Sequence, residues 1–114
     1  MRPTVVIVDD HAEFRAAARA VLEAGGFDVV GEAADAAQAV AVASRLQPQV
    51  VLLDIQLPDR DGFAVAEELG DGTRVVLTSS RDARAYGPRL ESARVRGFIA
   101  KRELSGQALA ALIV

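Results

Sequence analysis

Five short apolar runs recur along the chain and are separated by segments with a helical pattern. The runs cover residues 4–9, 27–31, 49–54, 74–78 and 97–101. Three of them are unbroken stretches of Val, Leu and Ile, and continuous rather than alternating hydrophobicity is typical of strands buried on both faces. The pattern therefore predicts a sheet of five parallel strands.

The helical pattern predicts helices over residues 12–24, 36–46 and 62–69, and another from about residue 105 to the end. Asp35 stands where it can cap the second helix. In the first helix, apolar side chains recur at helical spacing and predict one buried stripe, formed by Phe14, Ala18, Val21 and Leu22.

The segment before the fifth apolar run predicts an irregular fourth helix. Asp82 can cap a turn over residues 83–86, but Gly87 and Pro88 would break a helix interior. Pro88 can instead occupy the first turn of a short helix that ends near residue 94.

Strands that alternate with helices in this way predict an α/β sandwich with right-handed crossovers. Ligands of such sheets bind beyond the carboxyl ends of the strands. Polar side chains stand where four of the strands end, and we expect them to converge on one edge of the sheet. They are Asp9 and Asp10, Asp54, Thr78 and Lys101.

Three carboxylates that meet in one place favour a cation, and all-oxygen ligands without His or Cys select a hard ion such as Mg²⁺. The ammonium group of Lys101 and the hydroxyl group of Thr78 can bind a phosphate group beside that ion. A carboxylate such as Asp54 can then attack phosphorus and form an acyl phosphate. The set of residues therefore indicates phosphoryl-transfer chemistry.

The amino-acid composition excludes several other kinds of site. The chain has no cysteine and one histidine, which excludes disulfides, thiolate nucleophiles and multi-histidine metal sites. We expect that histidine, His11, to be a surface or capping residue rather than a metal ligand. The sequence contains neither a signal-peptide pattern nor an apolar run long enough to span a membrane, so we expect a cytoplasmic protein with no membrane partner.

Four motifs, taken in order, resemble the receiver domains of two-component response regulators. They are VDD at 8–10, LLDIQLPDRDGF at 52–63, VVLTS at 75–79 and GFIAK at 97–101. The resemblance covers residues 1–114 as one receiver domain. It implies a flavodoxin-like (CheY-like) three-layer sandwich with a five-stranded parallel sheet in the order 2-1-3-4-5, and a signalling domain rather than an enzyme.

The resemblance also implies a role for each residue that matches a family motif. Asp54 is the phosphoacceptor, Lys101 binds the phosphate, and Thr78 and Phe98 are the switch residues. Asp10 and Asp54 bind Mg²⁺ directly, Asp9 binds it through water, and the backbone carbonyl of Gln56 completes the protein ligands.

The implied partner is a sensor histidine kinase that donates the phosphoryl group. Arg102 replaces the proline that most receivers have after the lysine, and we expect a trans peptide bond there. This replacement and the DDH triplet at 9–11 resemble the subfamily joined to a LuxR-type helix-turn-helix output. DNA would then be bound only through an output domain that these residues do not include.

Acidic side chains are in excess in the first part of the chain and basic side chains in the last part. This separation of charge is relevant to whether two copies of the chain associate. Residues 1–72 carry 13 acidic and 5 basic side chains, whereas residues 73–114 carry 3 acidic and 8 basic ones. The fourth helix, fifth strand and fifth helix should therefore form a basic face. A homodimer through this face is one prediction, and a solvated face is the alternative.

Two other functions remain open from the sequence. A hydrolase of the haloacid-dehalogenase type also uses an aspartyl phosphate, but Gln56 stands where such enzymes have a second acid. A pseudo-receiver would keep the fold and act as an interaction module without phosphorylation. Nucleotide binding is disfavoured because no glycine-rich phosphate loop follows the first strand.

Overall fold

The computed structural model describes residues 2–114, and it contains five strands and five helices. The strands are β1 (Thr4–Val8), β2 (Asp28–Ala33), β3 (Val50–Asp54), β4 (Arg74–Ser79) and β5 (Gly97–Ala100). The helices are α1 (Ala12–Ala24), α2 (Ala36–Leu46), α3 (Gly62–Leu69), α4 (Pro88–Ser92) and α5 (Gly106–Ile113). Short 3₁₀ turns cover Gly70–Gly72, Ala83–Ala85 and Lys101–Glu103.

The five strands form one parallel sheet in the order β2-β1-β3-β4-β5. This arrangement confirms the predicted α/β class and the flavodoxin-like strand order. The central strands β1, β3 and β4 are almost completely buried, as their unbroken apolar sequences predict. The register places Asp54 beside Thr78 on neighbouring strands.

Alternate side chains of the strands point to opposite faces of the sheet and form two cores. On one face, Ile7 and Leu52 pack with Leu22 of α1 and Leu109 of α5. On the other face, Leu53 and Leu77 pack with residues of α2 and α3. The sheet is therefore covered on both sides, which makes the three-layer sandwich.

The structure confirms the predicted boundaries of the first three helices. Asp35 caps α2 by accepting a hydrogen bond from the Gln38 amide, and Asp61 caps α3 in the same way from Phe63. Ser105 caps α5 and places its start where it was expected. The starts of these three helices are fixed by a capping residue that directly precedes each helix in the sequence, so they depend on local signals.

Three local predictions are wrong. Val21 of α1 is exposed rather than part of the buried stripe, because it lies at the edge of the apolar arc while Ala18 and Leu22 lie at its centre. Asp82 makes no capping hydrogen bond, since its carboxylate is paired with Arg102. The fourth helix ends at Ser92, two residues before the predicted end, because Ala93 adopts an extended conformation.

Within residues 2–114, no helix is both long enough and apolar enough to cross a membrane. All peptide bonds between the described residues are trans, including the bond between Lys101 and Arg102, as expected from the absence of proline there.

Candidate acidic site at the carboxyl edge of the sheet

The predicted site residues meet at the carboxyl edge of the sheet. Asp9 directly follows β1, Asp54 is the last residue of β3, and Thr78 is the penultimate residue of β4. Strand alternation directs all three side chains to the face covered by α1 and α5. Lys101 begins the 3₁₀ turn after β5 and approaches the same point, so four strand ends contribute to one cluster.

Lys101 joins the two buried carboxylates of this cluster. Its ammonium nitrogen Nζ lies 2.5 Å from Oδ2 of Asp9 and 3.4 Å from Oδ2 of Asp54. Asp9 is fully buried, and Asp54 is only 3% exposed. The ammonium group also lies 4.6 Å from the ring centroid of Phe14, a cation–π contact that holds it over the carboxylates.

The two buried aspartates have opposite pKa shifts. Burial raises the pKa of Asp9, but the Lys101 ammonium and the His11 amide favour its charged form, and the net effect lowers that pKa. Burial raises the pKa of Asp54 to about 6, with a further contribution from the negative charge of Asp9. The Gln56 amide and Lys101 oppose this rise without cancelling it. Of the two buried aspartates, Asp54 is therefore the one whose negative charge is less well compensated.

The amide of Gln56 donates a 3.0 Å hydrogen bond to Oδ1 of Asp54 and fixes the rotamer of that carboxylate. The chain then turns back, and Gln56 forms an isolated antiparallel bridge with Asp61. The metal-binding role of the Gln56 carbonyl stays a prediction, since it depends on an ion.

The residues present fit a divalent cation. The Lys101 ammonium group contacts the carboxylates of Asp9 and Asp54, and the carboxylate of Asp10 lies in the same cluster, so the acidic groups of the cluster outnumber its ammonium group. Oδ2 of Asp9 is buried and accepts no hydrogen bond of good geometry within residues 2–114, although Lys101 is close to it. One ligand atom from each of Asp9, Asp10, His11 and Asp54 lies within 4.8 Å of the others. The donor set is mainly carboxylate oxygen, which suits Mg²⁺.

His11 lies closer to the site than we expected from the sequence. Its side chain is exposed, but Nδ1 lies 3.0 Å from Oδ1 of Asp9 and 3.1 Å from Oδ1 of Asp10. It occupies the N-cap position of α1 without making a side-chain capping bond. The expected surface location is confirmed, and His11 stands at the N-cap position, but its ring turns toward the carboxylates and caps no amide.

The two predicted switch residues lie on opposite faces of the sheet. The buried hydroxyl of Thr78 donates a 2.6 Å hydrogen bond to the carbonyl of Ile99 on β5. Phe98 is half-buried on the other face, where its ring centroid lies 6.1 Å from that of Tyr86. Their switching roles stay predictions.

Sequence reasoning missed two groups of residues around the site. Arg15 donates a 2.6 Å hydrogen bond to the carbonyl of Asp9 and is held by an ion pair with Glu32. Asp59 accepts hydrogen bonds from the first amides of α2, those of Ala36 and Ala37. Neither contact has a local sequence signal, because each joins segments that only the fold brings together.

A third missed group surrounds Tyr86, before α4. Its hydroxyl is 2.6 Å from Oγ of Ser79 at the end of β4, and its ring centroid is 6.0 Å from that of Phe63. Arg89 stacks over Phe63 and pairs with Asp61 at 2.6 Å. These contacts attach the irregular fourth helix to α3 and to the strand that carries Thr78.

Comparison with known proteins identifies the family and agrees with the fold. The family model of the response regulator receiver domain matches residues 5–113. A protein of Pseudomonas aeruginosa named as a transcriptional regulator is 40% identical over 96% of this chain, which spans 55% of that relative. A protein-glutamate methylesterase/protein-glutamine glutaminase of Anaeromyxobacter dehalogenans is 40% identical over 91% of this chain, which covers 31% of that protein.

Among solved structures, the chain is similar to the signal receiver domain of a response regulator named NarL from Mycobacterium tuberculosis. The identity is 33%, the TM-score is 0.83, and the match covers 97% of this chain and 96% of that one. The chain thus spans about half or less of the two longer relatives, and nearly the whole of a structure that contains a receiver domain alone.

Proposed function

The chain belongs to the response regulator receiver domain family, and from this premise we propose that it is a phosphorylatable signalling switch with Asp54 as the phosphoacceptor. The observation that carries the proposal is the Lys101 ammonium group, which contacts the buried carboxylates of both Asp9 and Asp54. Burying two carboxylates close together costs free energy. A phosphoryl-transfer site needs such a pair, because one carboxylate accepts the phosphoryl group and both bind the metal ion.

The chemical step is in-line transfer to the side chain of Asp54. A carboxylate oxygen of Asp54 attacks the phosphorus of a phosphohistidine on the kinase; the new P–O bond forms as the P–N bond breaks, and the imidazole leaves with its electron pair. Asp54 has a pKa of about 6 and is therefore mostly ionised at pH 7. Lys101 neutralises charge on the transferred group.

Asp9, Asp10, Asp54 and the carbonyl of Gln56 would hold a Mg²⁺ ion beside this carboxylate. When bound, the ion supplies charge neutralisation for the phosphoryl oxygens. The remaining protein groups orient the acceptor: the Gln56 amide holds Oδ1 of Asp54, and Lys101 holds Oδ2.

The response to phosphorylation begins at Thr78. The acyl phosphate adds negative charge and hydrogen-bond acceptors beside Thr78, and its hydroxyl exchanges the Ile99 carbonyl for a phosphoryl oxygen. That exchange loosens the link between β4 and β5, and Phe98, which follows Gly97 on β5, shifts against Tyr86. The surface built from α4 and β5 is then biased between two pre-existing arrangements.

The partners follow from this role. A sensor histidine kinase donates the phosphoryl group, and the output is transcription, as the name of the Pseudomonas relative suggests. DNA would be contacted through an output domain outside these residues, and two phosphorylated copies would pair through α4, β5 and α5. The protein would act in the cytoplasm.

Acetyl phosphate with Mg²⁺ tests the proposal directly. We expect wild-type protein to gain the mass of one phosphoryl group, labile to hydroxylamine, and Asp54→Asn to gain none. Asp71→Asn is the matched control, because Asp71 is an exposed aspartate remote from the cluster and should leave labelling intact. Equal labelling of the Asp54 variant would refute the assignment of the acceptor. A wild-type protein that binds neither Mg²⁺ nor phosphate would be a pseudo-receiver.

A further inference from the structure

Arg15 of α1 contacts the acidic cluster through a main-chain carbonyl. Its Nη1 atom donates a 2.6 Å hydrogen bond to the carbonyl of Asp9, the residue that directly follows β1. Its Nε atom pairs with Oε1 of Glu32 on β2 at 3.0 Å, and its side chain is only 18% exposed. The planar guanidinium group can donate to both acceptors at once. Arg15 is therefore held in one orientation against the end of β1.

The carbonyl that Arg15 contacts belongs to the peptide group between Asp9 and Asp10. Because a peptide group is planar, fixing its oxygen restricts the whole group and the direction in which Asp10 leaves the strand. Asp9 has further restraints, since its amide donates to the carbonyl of Ala33 at 3.0 Å and its carboxylate pairs with Lys101. Asp10 lies outside both β1 and α1, and its side chain is 34% exposed. Asp10 therefore depends more than Asp9 on the orientation of this peptide group.

We propose that Arg15 is a positioning residue of the phosphoryl-transfer site: by holding the peptide group after Asp9, it orients the Asp10 carboxylate for Mg²⁺ binding. The inference rests on the proposed function of the cluster and adds a residue to it. Partners that orient a metal ligand commonly change metal affinity tenfold to a hundredfold. Arg15 would exert such an effect through the main chain of the ligand.

The alternative is that Arg15 only attaches α1 to the sheet, and Arg19, one turn later on α1, allows the two roles to be compared. Its Nε atom pairs with the other carboxylate oxygen of Glu32 at 2.9 Å, and its Nη1 atom donates to the carbonyl of Val29 at 3.1 Å. Both arginines thus join α1 to β2, and Arg15 is the one that also contacts Asp9. A purely structural role would make the two arginines equivalent, whereas a positioning role is specific to Arg15.

The charge of Arg15 predicts a change in Mg²⁺ affinity of the opposite sign. Arg15 is a cation near a site proposed to bind a cation, so removing its charge should strengthen Mg²⁺ binding through reduced repulsion. Loss of the hydrogen bond to Asp9 should weaken Mg²⁺ binding, because the Asp10 carboxylate then spends less time in the binding orientation. The sign of the change therefore separates positioning from electrostatics.

The test compares wild-type protein with Arg15→Gln, Arg15→Lys and Arg19→Gln by titrating Mg²⁺ and following the amide NMR signals of residues 9–11. We expect Arg15→Gln to weaken Mg²⁺ binding about tenfold. Arg15→Lys should fall between the glutamine variant and wild type, since an ammonium group keeps the charge but lacks the fork that reaches both acceptors. Arg19→Gln is the matched control: it removes the same charge and a Glu32 partner, and it should stay within about twofold of wild type because solvent and salt screen its charge.

Labelling by acetyl phosphate provides a second measurement. In Arg15→Gln the Mg²⁺ concentration for half-maximal labelling should rise about tenfold. The rate at saturating Mg²⁺ should stay within about threefold of wild type, because Asp54 and Lys101 are intact. In the absence of metal, ¹⁵N relaxation should show larger motions of the Asp10 and His11 amides in Arg15→Gln than in wild type or Arg19→Gln.

Unchanged or stronger Mg²⁺ binding in Arg15→Gln, or equal weakening in Arg15→Gln and Arg19→Gln, would overturn the inference while a labelled wild type upholds the proposed function. A wild-type protein that neither binds Mg²⁺ nor becomes labelled would overturn the proposed function and the inference with it. If urea unfolding shows that Arg15→Gln is not folded, Arg15→Lys and Arg19→Lys give the same comparison with the charge retained, and only the first should weaken Mg²⁺ binding.

Discussion

The ammonium nitrogen of Lys101 lies 2.5 Å from Oδ2 of Asp9, a residue 92 positions earlier in the sequence. Lys101 is the only lysine in the sequence, and its side chain is 17% exposed. It therefore combines two tasks: it compensates buried carboxylates in the resting protein, and it is placed to bind a phosphoryl group at Asp54.

We expect Lys101→Met to destabilise the metal-free protein by about 2–4 kcal/mol. Removing one partner of a buried ion pair costs about 3–5 kcal/mol, because the other charge stays buried alone, and the partial exposure of Lys101 reduces that cost. Urea unfolding at pH 7 in the presence of a chelator measures the change. Mg²⁺ should restore more stability to the variant than to wild type, since it replaces the missing positive charge.

Arg102→Met is the control for this prediction. Arg102 is the neighbouring cation, but its ion pair with Asp82 is exposed, and exposed pairs contribute little. If the two variants lose the same amount of stability, the Lys101 ammonium does not compensate buried charge, and the electrostatic account of the cluster is wrong.

The raised pKa of Asp54 predicts that Asp54→Asn stabilises the metal-free protein at pH 7. The folded pKa of about 6 lies above the ordinary value of 3.8, so the folded state binds more protons than the unfolded state between these values. Stability contributed by the protonated form is present below about pH 4 and is lost as the pH rises through 6. Asn cannot ionise, and we expect a gain of about 2–3 kcal/mol at pH 7.

Chemical denaturation of both proteins from pH 4 to pH 8 in the presence of a chelator checks this prediction. The two stability curves should meet near pH 4 and diverge above it, and Mg²⁺ should narrow the gap. Asp71→Asn should follow wild type throughout. A gap that is constant with pH would mean that Asn packs better, and that ionisation of Asp54 is not the cause.

The order of the elements and the members of the acidic cluster could be read from the sequence because each depends on local signals. Unbroken apolar runs mark β1, β3 and β4, and a capping side chain marks the start of α2. The carboxylates come directly after those runs, so a parallel sheet alone brings Asp9 and Asp54 together. The choice of face then follows from strand alternation.

What could not be predicted depends on contacts between distant segments. Asp82 has the sequence of a helix cap, but Arg102, which the fold brings beside it, takes its carboxylate. The position of the fourth helix is set by Tyr86, whose partners Phe63 and Ser79 lie in other elements. The contact of His11 with two carboxylates is of the same kind, because it depends on how the chain turns from β1 into α1.

The buried hydrogen bond from Thr78 to the carbonyl of Ile99 predicts different effects for two substitutions. Thr78→Val keeps the shape but removes the donor, and we expect a loss of about 1–2 kcal/mol because a buried acceptor is left unpaired. Thr78→Ser keeps the donor and should lose less than the valine variant. Urea unfolding separates the two.

The same pair of variants tests the proposed switch. Beryllofluoride with Mg²⁺ mimics the acyl phosphate, and in wild type we expect it to shift the amide NMR signals of residues 80–100. Thr78→Val should still bind beryllofluoride at Asp54 but lose most of these distant shifts, whereas Thr78→Ser should keep them. If the valine variant shows the full NMR shifts, the Thr78 hydroxyl does not couple the phosphorylation site to residues 80–100.

Tyr86 should hold the short fourth helix in place by its ring more than by its hydroxyl. Tyr86→Phe removes only the 2.6 Å contact with Ser79 and should cost about 1 kcal/mol. Tyr86→Ala also removes the ring between Phe63 and Phe98 and should cost about 3 kcal/mol. We expect the alanine variant to exchange the amide hydrogens of residues 83–92 at least tenfold faster than wild type, because few other buried side chains anchor this segment.

The phenylalanine variant is the matched control, since it keeps the aromatic cluster and loses one polar contact. Its exchange rates over the same residues should rise by less than about tenfold, as expected for about 1 kcal/mol. Exchange in α2, on the same face of the sheet but away from Tyr86, should stay unchanged in both variants unless the whole protein is opening. If both variants raise the exchange rates of residues 83–92 equally, the hydroxyl contact to Ser79 on β4 holds this segment in place. The conformational change would then be transmitted through Ser79 rather than through the aromatic rings.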